Sequence, residues 1–65
     1  MILLGLSTMG NSAACIFKDN KIIAAIEEER LSRIKNDGAF PIRSIKECLR
    51  ISNLSINDID IICVY

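Results

Sequence analysis

The sequence predicts an α/β fold: three antiparallel strands, a crossover helix and a fourth strand parallel to the first. Three observations predict it. Apolar runs of strand length recur at residues 2–6, 13–18, 21–26 and 61–65. A helical period of apolar residues follows Pro41. The first three runs are joined by short turns, whereas a helix-length connection precedes the fourth, which makes the last pairing parallel, with a right-handed crossover.

Residues 2–6, ILLGL, form a continuous apolar run that small residues end. Residues 7–12, STMGNS, read as a loop, and residues 13–18, AACIFK, as the second strand. Asp19-Asn20 is a two-residue hairpin turn, because both residues tolerate positive φ. The third strand, KIIAAI at 21–26, is apolar on both faces, which predicts a sheet covered on both sides. From Glu27 to Lys35 the period shifts. Leu31 and Ile34 are three apart and Glu29 stands four before Arg33, so a short helix is expected until Asn36-Asp37-Gly38 breaks it.

Pro41 opens the main helix as its first residue. Ile42, Ile45, Cys48 and Leu49 form its apolar stripe, with Arg43, Lys46, Glu47 and Arg50 off it. Phe40 is a poor N-cap for such a helix. The helix should end near Asn53, and residues 57–60 form a polar turn before the last strand. Only one helix covers this sheet, so burial of both faces requires the rest of a longer polypeptide or a second subunit.

Composition narrows the function classes. Sixty-five residues make one small domain, and apolar residues are 51% of them, enough for a folded core. At about this length a domain buries only roughly 60% of its unfolded surface. Eight acids balance eight bases, which argues against nucleic-acid binding. The chain has no His, and Cys15, Cys48 and Cys63 lack metal-site spacing, so they read as buried small hydrophobes. The start, MILLGLSTMG, is too short to span a bilayer and has no basic n-region. No membrane partner and a cytoplasmic location are expected.

Three groups carry possible chemistry. Ser7, Thr8, Gly10, Asn11 and Ser12 sit on a loop whose backbone N–H groups can approach an anion, although an ordinary hairpin loop explains the same residues. Glu27, Glu28 and Glu29 are adjacent and cannot share one face, so they read as a solvated acidic edge partnered by Arg30, Arg33 and Lys35. Arg30 and Arg33 can share a helical face. Lys35, next to the Asn-Asp-Gly break, is the candidate phosphate contact, with a solvated charged face as the plainer alternative.

The segment GLSTMGNSAACIFKDNKIIAAIEEERLSRIKNDGAFP resembles the N-terminus of the nodulation-protein and antibiotic-tailoring O-carbamoyltransferases. The resemblance rests on Gly5, Asn11, Ser12, the Ala24-Ala25 pair, the run from Glu27 through Arg30 with Arg33 and Lys35, and Phe40-Pro41. Asp58 and Asp60 also fit. It implies an incomplete ribonuclease-H-like (actin-like ATPase) sheet, with residues 1–65 as an N-terminal fragment. It also implies transfer of a carbamoyl group from carbamoyl phosphate to a hydroxyl, through a carbamoyl-adenylate made with ATP. A divalent metal is implied for the full-length family, with neither it nor ATP bound by this chain alone.

Lys35, Asn11 and Ser12 are the substrate-binding residues this resemblance implies. Gly10 stands where the family carries a loop His, and Asn36 stands at a second His. Gly10 cannot take or give a proton, so no catalytic residue is assigned. Asn20 replaces a turn Gly, and Leu31 replaces an aromatic residue and is expected in the core. The isolated chain is not expected to be catalytic. A rival reading is a non-catalytic relic or interaction module of the same fold. A sugar kinase fits less well, because residues 7–12 hold no acid for a metal-bound nucleotide.

Overall fold

The computed structural model describes residues 1–8, 11–33 and 40–64. Its elements are β1 (Ile2–Ser7), β2 (Ala13–Lys18), β3 (Lys21–Glu27), α1 (Glu28–Ser32), α2 (Ile42–Ser52), a 3-10 turn (Ile56–Asp58) and β4 (Ile61–Val64). One mixed sheet has the order β3-β2-β1-β4. β1 pairs antiparallel with β2 and parallel with β4, as the connection lengths predict.

Asp19 and Asn20 both take positive φ, 52° and 68°. That is the geometry a tight hairpin requires, and it puts Lys18 opposite Lys21. A bulge between Ile16 and Phe17 shifts the register within the same hairpin. On the other side of β1, at the same end of the sheet, Ile2 and Asp60 hold each other. The Asp60 N–H donates to the Ile2 carbonyl at 2.8 Å, and the Ile2 N–H donates to Asp60 Oδ2 at 2.7 Å. The polar turn before β4 is a 3-10 turn with a capping box. The Ser55 N–H donates to Asp58 Oδ2 at 2.8 Å, and the Ser55 side chain accepts the Asp58 N–H in return.

Leu4, Leu6, Ala14, Ile16 and Ala24 face α2 and meet Cys48 in the core. Helix α2 lies over β2 and β3. Its buried face is centred on Ser44 and Cys48, with Pro41, Ile45 and Leu49 beside them. Ile42, expected in the apolar stripe, is exposed instead. At 100° per residue it lies on the far side of the helix from Ser44. Pro41 is the N-cap and not the first helical residue. The helix ends at Asn53 in a Schellman-type turn: Asn53 has φ 57°, and the Leu54 N–H reaches the Leu49 carbonyl.

Three further expectations are corrected. Helix α1 closes at Ser32, earlier than Lys35, because Arg33 turns left-handed (φ 66°) and its N–H caps the Glu29 carbonyl. Arg33 therefore shares no helical face with Arg30. Leu31 is exposed, because Glu28 takes the inward position of this short helix. Of the cysteines, Cys48 is buried, Cys15 half-buried and Cys63 exposed. Cys63 lies on edge strand β4, beyond the reach of α2.

Among the described residues, nothing covers the sheet face opposite α2. Register places Cys15 and Cys63 on either side of Gly5, with Ala25 beyond Cys15. A Cβ at Gly5 would meet Cys15 Sγ at 3.0 Å, so the sulfur leans into the space that the glycine leaves. Among the described residues, no helix is long and apolar enough to cross a membrane.

Two substitutions test this packing. Ser52 Oγ is buried and has no hydrogen-bond partner among the described residues. Ser52→Ala should leave stability unchanged or raise it by about 1 kcal/mol, because an unsatisfied hydroxyl is removed and helix propensity improves. Leu4→Ala should cost about 3 kcal/mol, a large share of what so small a core provides. Urea denaturation of each variant reads both effects.

Candidate functional site

Three polar residues are almost fully buried where the carboxyl end of β3 meets the start of α2. Ser12 and Ser44 are 0% exposed and Glu28 is 1% exposed. Hydrogen bonds through Glu28 link the three. Ser12 precedes β2, and its carbonyl accepts the Glu28 N–H at 2.8 Å, one step beyond the Ala13–Glu27 rung of the β2–β3 ladder. The Glu28 side chain then crosses to α2. Its Oε1 accepts the Ser44 N–H at 2.9 Å and the Ser44 hydroxyl at 2.8 Å. Its Oε2 accepts Arg43 Nη1 at 3.3 Å.

Local sequence explains why a carboxylate is needed there. Helix α2 has no side-chain cap of its own: its N-cap is Pro41 and Phe40 precedes it. Ser44 is its third residue, one whose N–H has no partner inside the helix. Glu28 supplies the missing acceptor from across the fold. Its negative charge also suits the positive end of the helix dipole. Burial alone pushes the Glu28 carboxyl up, but the Ser44 N–H, the Ser44 hydroxyl and Arg43 outweigh it. The group is held below its ordinary value of 4.5.

Glu28 is therefore not part of a solvated acidic edge. Glu27 is exposed, Glu28 is buried and Glu29 is half-buried. The partners of the Glu28 side chain among the described residues are Ser44 and Arg43, not Arg30 or Arg33. Sequence reasoning missed Glu28 and Ser44 as a unit. The available signal was the poor cap at Phe40, since a helix start without a local acceptor needs one from elsewhere. A consequence for ligands follows: the start of α2, otherwise a ready anion site, is already occupied by Glu28.

The candidate binding residues are placed as follows. Asn11 is exposed on the loop and Ser12 is buried next to it. Lys35, Gly10 and Asn36 lie outside the described residues. On the uncovered sheet face, Gly5, Cys15, Ala25, Arg30, Leu31 and Cys63 help to line an open groove of about 940 Å³. Arg30 is the one cation in that lining among the described residues. No three His, Cys, Asp or Glu side chains converge among the described residues, so they offer a divalent metal no ligand set.

Residues 2–65 match the family described as Carbamoyltransferase N-terminus. The chain belongs to the carbamoyltransferase family, as its N-terminal part. It is 48% identical over 59 residues to an uncharacterized 19.2 kDa protein from the syrM 5′ region of Rhizobium etli, covering 91% of this chain and 34% of that protein. It is 46% identical over 57 residues to nodulation protein NolNO of Sinorhizobium fredii, covering 88% of this chain and 8% of that protein. An uncharacterized protein of Synechocystis is 41% identical over 64 residues, covering 97% of this chain and 10% of its own length. The carbamoyltransferase segment thus spans 34% of the first relative and 8% and 10% of the other two.

Removing the buried carboxylate should be costly. Glu28→Ala leaves the Ser44 N–H and hydroxyl without their acceptor and should destabilise the domain by about 2 kcal/mol, read by thermal or urea unfolding. The pH dependence has a definite sign. A carboxyl held below its ordinary value in the folded state stabilises the fold above pH 4.5 and loses that contribution as pH falls further. Unfolding free energy measured from pH 7 to pH 3 should therefore fall below pH 4.5, and Glu28→Gln should flatten that part of the profile.

Proposed function

We propose that this chain is the N-terminal segment of an O-carbamoyltransferase. The enzyme moves a carbamoyl group from carbamoyl phosphate to a hydroxyl by way of a carbamoyl-adenylate. The observation that carries this reading is the match of residues 2–65 to the N-terminus of carbamoyltransferases, supported by the likeness to nodulation protein NolNO. The order β3-β2-β1-β4, with β1 parallel to β4, accords with the opening unit of an actin-like ATPase sheet. ATP supplies the adenylyl group of the activated carbamoyl donor.

In this reading the chain binds and orients the donor. Lys35 places a point charge against the phosphate, a role suited to a compact ammonium on a loop. The loop before β2 lines the same pocket, with Asn11 exposed on it and Ser12 buried behind Asn11. The remainder of a longer polypeptide, or a second subunit, covers the open sheet face and completes the sheet beyond β4. That arrangement agrees with the small fraction of each relative that this segment spans. The protein works in the cytoplasm, where carbamoyl phosphate and ATP are available to it.

A second reading, a non-catalytic relic or interaction module, is favoured by one observation: Gly10 stands where the resemblance places a histidine. Introducing Gly10→His into the full-length protein separates the two in a carbamoyl-transfer assay. A gain in transfer supports the enzyme whose histidine was lost, and no gain counts against that explanation. For the enzyme itself, Lys35→Ala should weaken carbamoyl-phosphate binding about tenfold or more, as loss of a charge-assisted contact does. Isothermal titration of the full-length protein measures this, and unchanged affinity removes the role of Lys35.

A further inference from the structure

We propose that Glu28 is a positioning residue for the carbamoyl-transfer site, holding the Ser12 loop in place against the start of α2. The proposal rests on the reading above, in which the loop that carries Asn11 lines the donor pocket, with Ser12 buried beneath it. Its own support is the path of short hydrogen bonds through Glu28. The Ser12 carbonyl accepts the Glu28 N–H at 2.8 Å, and the Glu28 carboxylate accepts the Ser44 N–H and hydroxyl at 2.9 and 2.8 Å. Ser12, Glu28 and Ser44 are all shielded from water, where such bonds hold their geometry best.

A cap for α2 would not by itself require this arrangement. A Ser, Thr, Asp or Asn at position 41 would satisfy the Ser44 N–H locally, without burying a charge. A local cap could not tie α2 to the loop that precedes β2. Glu28 does, because its main chain continues the β2–β3 ladder while its side chain reaches the helix. Arg43 holds the second oxygen from the solvent side, 63% exposed, and so orients the carboxylate without burying a second charge. The loop side chain at Asn11 is thereby referenced to a helix start thirty residues on in sequence.

The carboxylate, not merely a side chain of its size, is required. Three donors converge on its two oxygens. A glutamine would keep one acceptor and turn an NH2 group toward a donor. The amide would rotate away or the loop would shift. A shift of about 1 Å at a substrate-lining loop costs on the order of a hundredfold in rate.

The test is steady-state kinetics of the full-length protein with carbamoyl phosphate as the varied substrate, comparing Glu28→Gln, Ser44→Ala and Asn11→Ala. A purely structural role lowers the amount of folded protein, which scales kcat and leaves KM where it was. A displaced Ser12 loop raises KM for carbamoyl phosphate. We expect KM to rise about tenfold in Glu28→Gln at an unchanged folded fraction by circular dichroism. Ser44→Ala, which removes one of the three bonds to the same carboxylate, should raise KM by about threefold, and it decides the matter if Glu28→Gln does not fold. Unchanged KM in the folded variants, with Asn11→Ala raising it, overturns the positioning role and leaves the pocket reading standing. Unchanged KM in all three overturns the pocket reading and the role together, as does a full-length protein that does not turn over carbamoyl phosphate.

Discussion

One buried carboxylate governs how the parts of this small domain meet. Glu28 sits at the join of sheet and helix, with its main chain in the β2–β3 ladder and its side chain on the first turn of α2. Taking a charge out of water costs several kcal/mol unless bonds replace the lost hydration. Here the Ser44 N–H, the Ser44 hydroxyl and Arg43 do so, and their convergence requires Ser44 and Arg43 to be in register with Glu28 at once. The polar cluster is therefore more exacting than the aliphatic core around it. Leu4, Ile16 and Cys48 set how well α2 packs, whereas Glu28 sets where along the sheet the helix begins.

The second organising fact is one-sidedness. Helix α2 covers β2 and β3 on one face, and the opposite face exposes an open groove at Gly5, Cys15, Ala25 and Cys63. Strand β4 is exposed along its whole length. Ile61, Ile62 and Val64 there, and Ile22 and Ile23 on β3, are apolar side chains that the chain leaves in contact with water. An aliphatic sheet with so little cover suits a segment that spans 34% or less of its relatives.

Much of the fold was legible in the sequence, and the reasons are local. The Asp19-Asn20 turn, the four strands, the end of α2 near Asn53 and the parallel β1–β4 pairing all follow from turn chemistry, apolar runs and connection length. What was not legible depends on distant partners. Glu28 looks like one of three equivalent acids until α2 is brought beside it. Ser44 looks like a surface serine, and Ile42 like a core residue, until Glu28 decides which face of the helix turns inward. Leu31 is exposed for the same reason. The candidate site was legible to the extent that Asn11 and Ser12 share a loop next to Glu28. Residues 10, 35 and 36 lie outside the described structure and rest on the sequence resemblance.

The mutual hold between Ile2 and Asp60 carries a consequence for how the chain is made. β1 lies between β2 and β4 in the sheet, yet it leaves the ribosome before either of them. Its neighbour β2 follows at once and can zip onto it as a hairpin. The other edge of β1 waits until residues 60–64 emerge, fifty-eight positions after Ile2. Pairings between ends so far apart close late, after local hairpins and helices have formed. Throughout that interval the nascent chain carries an unpaired, strongly apolar strand flank, which is the kind of surface that chaperones recognise and that aggregates form on.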